Sequence, residues 1–154
     1  MSSLVGTLRH PEDLRGWPIP RLEALAAADL LATRGFDVGV LNARFAKPLD
    51  EEVFADALTG YPLLVTVEDH FRTGGFGSAV LEFAADLPGA RARVLRLGIP
   101  DRYLPHAGRR RQLEWAGLTA EKIAESVAGT LVGEESADCC LTAVASWRAA
   151  VGPK

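Results

Sequence analysis

Cysteine is scarce in this chain of 154 residues, and the two present, Cys139 and Cys140, are neighbours. Adjacent cysteines rarely pair with each other, because the bridge would distort the peptide between them. An intrachain disulfide framework is therefore excluded, in agreement with a reducing compartment. The pair reads as two small buried or tail thiols, with a redox or metal role as the alternative. Histidine is equally sparse: His10, His70 and His106 are far apart and show no metal-ligand spacing, which speaks against a zinc site. No apolar run reaches the roughly 18–20 residues that a membrane-spanning helix needs. The start, Met1-Ser2-Ser3-Leu4-Val5-Gly6, lacks the basic and apolar regions of a signal peptide, so the expected compartment is the cytoplasm. Excess charge of one sign is missing too. A net charge of −3 gives neither nucleic acid nor an anionic membrane an electrostatic hold. What is present is an ordinary soluble composition, 48% hydrophobic and 24% charged, enough to build the core of one domain.

Residues 1–20 read as an irregular lead segment, because Pro11, Pro18 and Pro20 interrupt any regular helix. Leu22, Leu25, Ala26, Leu30 and Ala32 give an apolar face at helical spacing, so a helix is expected from about Arg21 to Thr33, stopped by Gly35. Asp37 to Ala43 reads as a strand. Asp50 is placed to cap a short helix from Glu51 to about Leu58. Leu63 to Val67 is apolar and β-branched, as a strand covered on both faces should be. A glycine-rich turn, a helix from about Gly75 to Asp86 and a strand from Arg93 to Leu97 follow. Helices are then expected at Arg109–Trp115 and Ala120–Val132, the second capped by Thr119, with a last weak helix at Asp138–Ala149. Strands alternating with helices predict a three-layer α/β/α fold around a mostly parallel sheet. There is no internal repeat, heptad or low-complexity tract.

Two places could carry chemistry. Gly74, Gly75, Gly77 and Ser78 lie after a strand and open a helix, where backbone N–H groups can hold an anion. Val80 stands where the dinucleotide fingerprint needs its third glycine, and no P-loop lysine follows. The other reading is that these glycines let the chain reverse tightly and the helix pack close to the sheet. Glu68, Asp69 and His70 fall at the carboxyl end of a strand, the edge where open α/β sheets bind ligands. They suit acid–base chemistry, or else an interface or a structural role. Arg109, Arg110 and Arg111 open a helix whose dipole they oppose, as a solvated face or a site for an acidic partner. Arg91, Arg93 and Arg96 alternate partly out of their strand and could reach across an interface.

Three ordered motifs carry a resemblance. Arg44-Phe45-Ala46-Lys47-Pro48-Leu49-Asp50 is one, and Val67-Glu68-Asp69 with Gly74-Gly75-Phe76-Gly77-Ser78-Ala79-Val80-Leu81-Glu82 is the second. The third is Leu95-Arg96-Leu97-Gly98-Ile99-Pro100-Asp101-Arg102-Tyr103-Leu104-Pro105-His106. Together they resemble the C-terminal domain of transketolase-type thiamine diphosphate enzymes, closest to that of 1-deoxy-D-xylulose-5-phosphate synthase. The similarity runs from about Leu22 to Gly133. It divides the chain into the lead segment 1–20 (a possible remnant strand at 4–8), a transketolase C-terminal-like domain at 21–133, and a tail at 134–154. The family's first strand is not evident, and Ala107-Gly108 replaces a serine cap before the next helix.

The resemblance implies a domain of packing, dimer stabilisation and assembly within a transferase of isoprenoid precursor and thiamine biosynthesis. In that family thiamine diphosphate and Mg²⁺ are held by two other domains, through a G-D-G…N motif and an activating glutamate. No G-D-G occurs here and no catalytic or cofactor residue maps onto the chain, so no cofactor is expected for it alone. The expected partners are a second copy, as a homodimer, or the thiamine diphosphate-binding domains of a longer chain. Two alternatives stay open. One is a repurposed module binding a small anion or phosphate-bearing ligand at the glycine turn, and the other is a subunit completing a split enzyme in trans.

Overall fold

Helices cover both faces of one strand, and that strand's alternation shows how. The computed structural model describes residues 2–4, 19–43 and 46–132. Strand β2, Leu63–Phe71, has side chains that alternate between its two faces. Leu63 and Val65 enter a buried cluster with Ala24, Ala27 and Leu31 of helix α1 (Ile19–Thr33) and Ile123, Ala124 and Val127 of helix α5 (Ala120–Val132). Leu64 points the other way, into a second cluster with Phe54, Ala57 and Leu58 of helix α2 (Glu51–Gly60) and Val80 of helix α3 (Phe76–Asp86). Two apolar clusters on opposite faces make the architecture a three-layer α/β/α sandwich.

Among the described residues the sheet has three strands in the order β1-β2-β3, all parallel. Strand β1, Ser2–Leu4, pairs Ser2 with Leu63 and Leu4 with Val65. Strand β3, Arg93–Ile99, pairs with β2 from Leu63↔Arg93 to Val67↔Leu97, after which the register shifts before Phe71↔Ile99. That irregularity falls on Glu68, Asp69 and His70. Helix α4, Arg109–Ala116, follows β3.

The expected strand at Asp37–Ala43 is not a strand here. Val40 forms a lone bridge and its neighbours have no ladder, although Val38 and Val40 still pack partly buried against the first cluster. An apolar, β-branched segment becomes a strand only where a neighbour takes up its backbone groups.

Of the lead segment, residues 2–4, 19 and 20 are described. It contains β1, and α1 begins inside it at Ile19. Pro20 falls in the first helical turn, where its missing N–H would have had no intrahelical partner. Of the possible remnant strand at 4–8, only Leu4 is in β1, and residues 5–8 lie outside the described residues. The other helices and strands fall within a few residues of expectation. The helix expected at Asp138–Ala149, Cys139 and Cys140 lie outside the described residues.

Candidate functional site

Of three consecutive residues at the carboxyl end of β2, two tie the strand to different helices and the third is exposed. Glu68 is buried, 7% exposed, although it is a carboxylate. Its Oε2 accepts a hydrogen bond from the Phe76 N–H at 2.7 Å and its Oε1 one from the Gly77 N–H at 3.0 Å. These are the first two N–H groups of α3, which an α-helix leaves without intrahelical partners. The N-cap position itself is Gly75, which has no side chain to offer. The next two N–H groups, of Ser78 and Ala79, go to the Gly75 carbonyl at 3.0 and 3.3 Å. All four donors of the turn are thus engaged within the chain.

Glycines make this closeness possible. A Cβ on Gly75 would lie 2.0 Å from Glu68 Oε2 and 2.4 Å from the Phe71 carbonyl oxygen. One on Gly77 would lie 2.5 Å from Thr66 Oγ1, and one on Gly98, at the end of β3, 2.9 Å from Glu68 Cγ. The glycines of the second and third sequence motifs therefore close around one side chain. Gly74 serves the turn itself, with φ at +73°.

Asp69 forms an ion pair with Arg109, the first residue of α4. His70 is exposed, its ring edge-on to the Phe71 ring at 5.8 Å. Ser78 Oγ accepts from the Gly74 N–H at 3.1 Å and donates to the Arg72 carbonyl at 3.2 Å. Arg96 donates to Ser78 Oγ at 2.9 Å and to the same carbonyl at 3.3 Å. It therefore secures the β2–α3 turn from β3 instead of reaching outward. The arginines opening α4 are also engaged: Arg110 faces Glu114 at 3.6 Å, and the Arg111 guanidinium lies 5.6 Å from the Trp115 ring centre.

An open cleft of about 470 Å³ lies over this edge, bordered by Lys47, Glu68, His70, Gly75, Ser78 and Glu82. Of the seven candidate residues, Glu68, Asp69, His70, Gly74, Gly75 and Ser78 border it, and Gly77 is buried beneath. A second hollow of about 390 Å³ lies between Leu41–Ala43 and α2, and Asn42 Oδ1 is buried there without a hydrogen-bond partner. Among the described residues, no group of three or more His, Cys, Asp and Glu could hold a metal ion. Among the described residues, too, no helix is long and apolar enough to cross a membrane.

Sequence reasoning missed the cap that Glu68 gives α3 and the inward reach of Arg96. It also missed Glu23, whose Oε2 accepts the Ala120 N–H of α5 at 2.6 Å from across the first cluster. The signal for the first was there: a helix opening on glycine, with no Ser, Thr, Asp or Asn at its N-cap, needs an acceptor from elsewhere.

A parallel three-layer domain whose glycine turns close around a strand-end carboxylate is the class that fold and site define. The profile of the family described as "Transketolase, C-terminal domain" matches residues 19–123, and the chain belongs to that family. It is similar to the 1-deoxy-D-xylulose-5-phosphate synthases of Aquifex aeolicus, 43% identical over 77% of this chain, and of Gloeobacter violaceus, 42% identical over 84%. That of Thermomicrobium roseum is 50% identical over 67% of this chain. The chain spans only 16–18% of the length of these three relatives. Among solved structures it resembles one described as "Split gene transketolase, inactive beta4 tetramer", with a TM-score of 0.65 and 30% identity. That likeness covers 74% of this chain and 36% of the other.

Proposed function

We propose that the chain is the C-terminal assembly domain of a transketolase-type transferase resembling 1-deoxy-D-xylulose-5-phosphate synthase, contributing packing and dimerisation without catalysing a reaction by itself. The observation that carries this reading is one of extent: the similarity to those synthases covers less than a fifth of their length and coincides with the C-terminal domain family. The arrangement of the sheet edge supports it. Glu68, Asp69, Ser78 and Arg96 are bound up in holding the fold. Phe71, Tyr103 and Trp115 stand exposed at the end of β2, after β3 and on α4, the kind of apolar surface that assembly covers. On this reading thiamine diphosphate and Mg²⁺ belong to other domains of such an enzyme, and its setting is cytoplasmic isoprenoid precursor and thiamine biosynthesis. Calorimetric titration of the purified chain with thiamine diphosphate and Mg²⁺ is expected to show no binding. A micromolar dissociation constant would overturn the proposal.

A second reading, a subunit that completes a split enzyme in trans, is favoured by the name of the tetrameric neighbour. It expects the chain to co-purify with a longer polypeptide carrying G-D-G…N, and to generate activity on mixing. The third, a phosphate-binding module at the glycine turn, expects thermal stabilisation by sugar phosphates. The engagement of the Phe76 and Gly77 N–H groups by Glu68 counts against it.

A further inference from the structure

We propose that Tyr103 of one copy of this chain seats in the hollow between Leu41–Ala43 and α2 of a second copy, its hydroxyl donating to Asn42 Oδ1. The proposal rests on the assembly reading and names a contact that assembly uses. Two observations on separate elements fit each other. The hollow has apolar walls, among them Leu41, Leu49, Val53 and Phe54, yet it holds the buried Asn42 acceptor, which has no hydrogen-bond partner. A buried acceptor without a donor is costly, so the occupant it suits is apolar with one N–H or O–H group. Of the large hydrophobic residues exposed among those described, only Tyr103 and Trp115 carry such a donor. Trp115 is 37% exposed and lies beneath the Arg111 guanidinium, whereas Tyr103 is 88% exposed. Tyr103 also stands on a braced loop, between Pro100 and Pro105, where Arg102 donates to the Trp115 carbonyl at 3.3 Å. A ring held out in this way loses little freedom when it is buried.

Position and charge support the match. Helix α2 ends just before β2 begins, so its first turn lies at the opposite, carboxyl edge of the sheet. Lys47, just ahead of that turn, borders the cleft there together with His70. Tyr103 follows the end of β3 and so belongs to the same edge. A knob and a hole on one edge let two copies related by a twofold axis exchange both at once and close as a dimer. The hollow opens beside exposed Asp50, Glu51 and Glu52, with Lys47 the base before them. The knob is accompanied by exposed Arg102, Arg110 and Arg111, with Asp101 and Glu114 as the acids. A basic rim thus meets an acidic one, and the arginines that oppose the α4 dipole gain a use.

Sedimentation equilibrium of the full chain tests this, with far-ultraviolet circular dichroism to show that each variant keeps the fold. The wild type is expected to form a dimer. Tyr103→Ala should raise the dissociation constant at least about 100-fold, because an aromatic anchor is lost at both seats. Tyr103→Phe should raise it about tenfold, by leaving Asn42 Oδ1 buried and unpaired. The exposed pair Glu51→Lys and Glu52→Lys should also weaken the dimer, and this loss should fade near 1 M salt. A dimer indifferent to Tyr103→Ala overturns the proposal and leaves the assembly reading standing. Equal dissociation constants for Tyr103→Phe and the wild type overturn it too, since the hydroxyl is what singles out Tyr103. A chain still monomeric at about 1 mM overturns both the proposal and the self-association in the assembly reading.

Discussion

Four helices of this chain begin under different electrostatic conditions. Helix α2 uses its own N-cap residue: Asp50 Oδ1 accepts the Val53 N–H at 3.3 Å. Helices α3 and α5 borrow carboxylates, Glu68 from β2 and Glu23 from α1. Helix α4 opens on Gly108, which makes no side-chain cap, and then places Arg109, Arg110 and Arg111 in its first turn. A carboxylate at the positive end of the dipole stabilises a helix, and arginine there does the reverse. The borrowed caps also do what a local cap does not, because each ties a helix to a distant element. Glu23 links two helices of one face, and Glu68 fixes α3 to the strand that separates both faces. Helix α4 is tied to β2 by the Asp69–Arg109 pair instead, which is partly exposed and so open to solvent screening.

The most damaging way to break this contrast is to fill the space around the α3 cap. Gly75→Ala puts a methyl group against Glu68 Oε2 and against backbone at Phe71, and a backbone oxygen cannot swing aside as a side chain can. It is expected to lower unfolding free energy by about 3 kcal/mol, near the upper end of ordinary overpacking. Urea denaturation monitored by far-ultraviolet circular dichroism would measure it. A change below about 1 kcal/mol would mean that the turn yields and that the cap is not tightly fitted.

Glu23→Ala tests the other borrowed cap and should cost less. It leaves the N–H of buried Ala120 without a charged acceptor, a loss of about 1.5–3 kcal/mol where the donor stays dry and less where water reaches it. The same denaturation measurement applies. Hydrogen exchange adds a sharper reading: protection should fall first at the start of α5 and the facing turn of α1. Uniform loss of protection would show that Glu23 acts through the whole core rather than as a cap.

These caps also mark what could be read from the chain and what could not. Asp50 was legible because its acceptor and donor lie three residues apart, within the span of local rules. The strand at Leu63 and the helices at Glu51, Phe76, Arg109 and Ala120 were legible from periodicity and turn residues, within a few residues at their ends. The Asp37–Ala43 strand failed because strand formation depends on a neighbour, and valine content says nothing of whether one takes up the backbone groups. Glu68 was placed at the right edge of the sheet but its partner was not identified, since the distance that matters is spatial. Thr119 was expected to cap α5. It stands at the N-cap position, its carbonyl accepting the Ile123 N–H at 2.9 Å, while the Ala120 N–H goes to Glu23; hydrogen bonding to backbone, and then to the Thr119 hydroxyl, holds the Glu121 carboxyl below its usual pKa.

The smallest expected effect lies at α4, where two opposed terms nearly cancel. Arg110 is almost fully solvated, its side chain 93% exposed, and sits in a first turn that disfavours positive charge. Such a misplaced charge costs about 0.3–1 kcal/mol at low ionic strength. Its pairing with Glu114, one turn on at 3.6 Å, offsets about 0.3–0.5 kcal/mol, and less in this order because the cation precedes the anion. Arg110→Gln removes both terms, together with a weak attraction to Glu121. It should therefore leave stability unchanged or raise it by about 0.3 kcal/mol in dilute buffer, with the difference fading near 1 M salt as screening shortens the reach of both. Melting curves at two salt concentrations would read this. Should the variant instead lose more than about 0.5 kcal/mol, the dipole would not govern the start of α4. The arginine cluster would then be holding the helix in place, and the contrast with the three carboxylate-capped helices would lie in the choice of partner and not in the strength of anchoring.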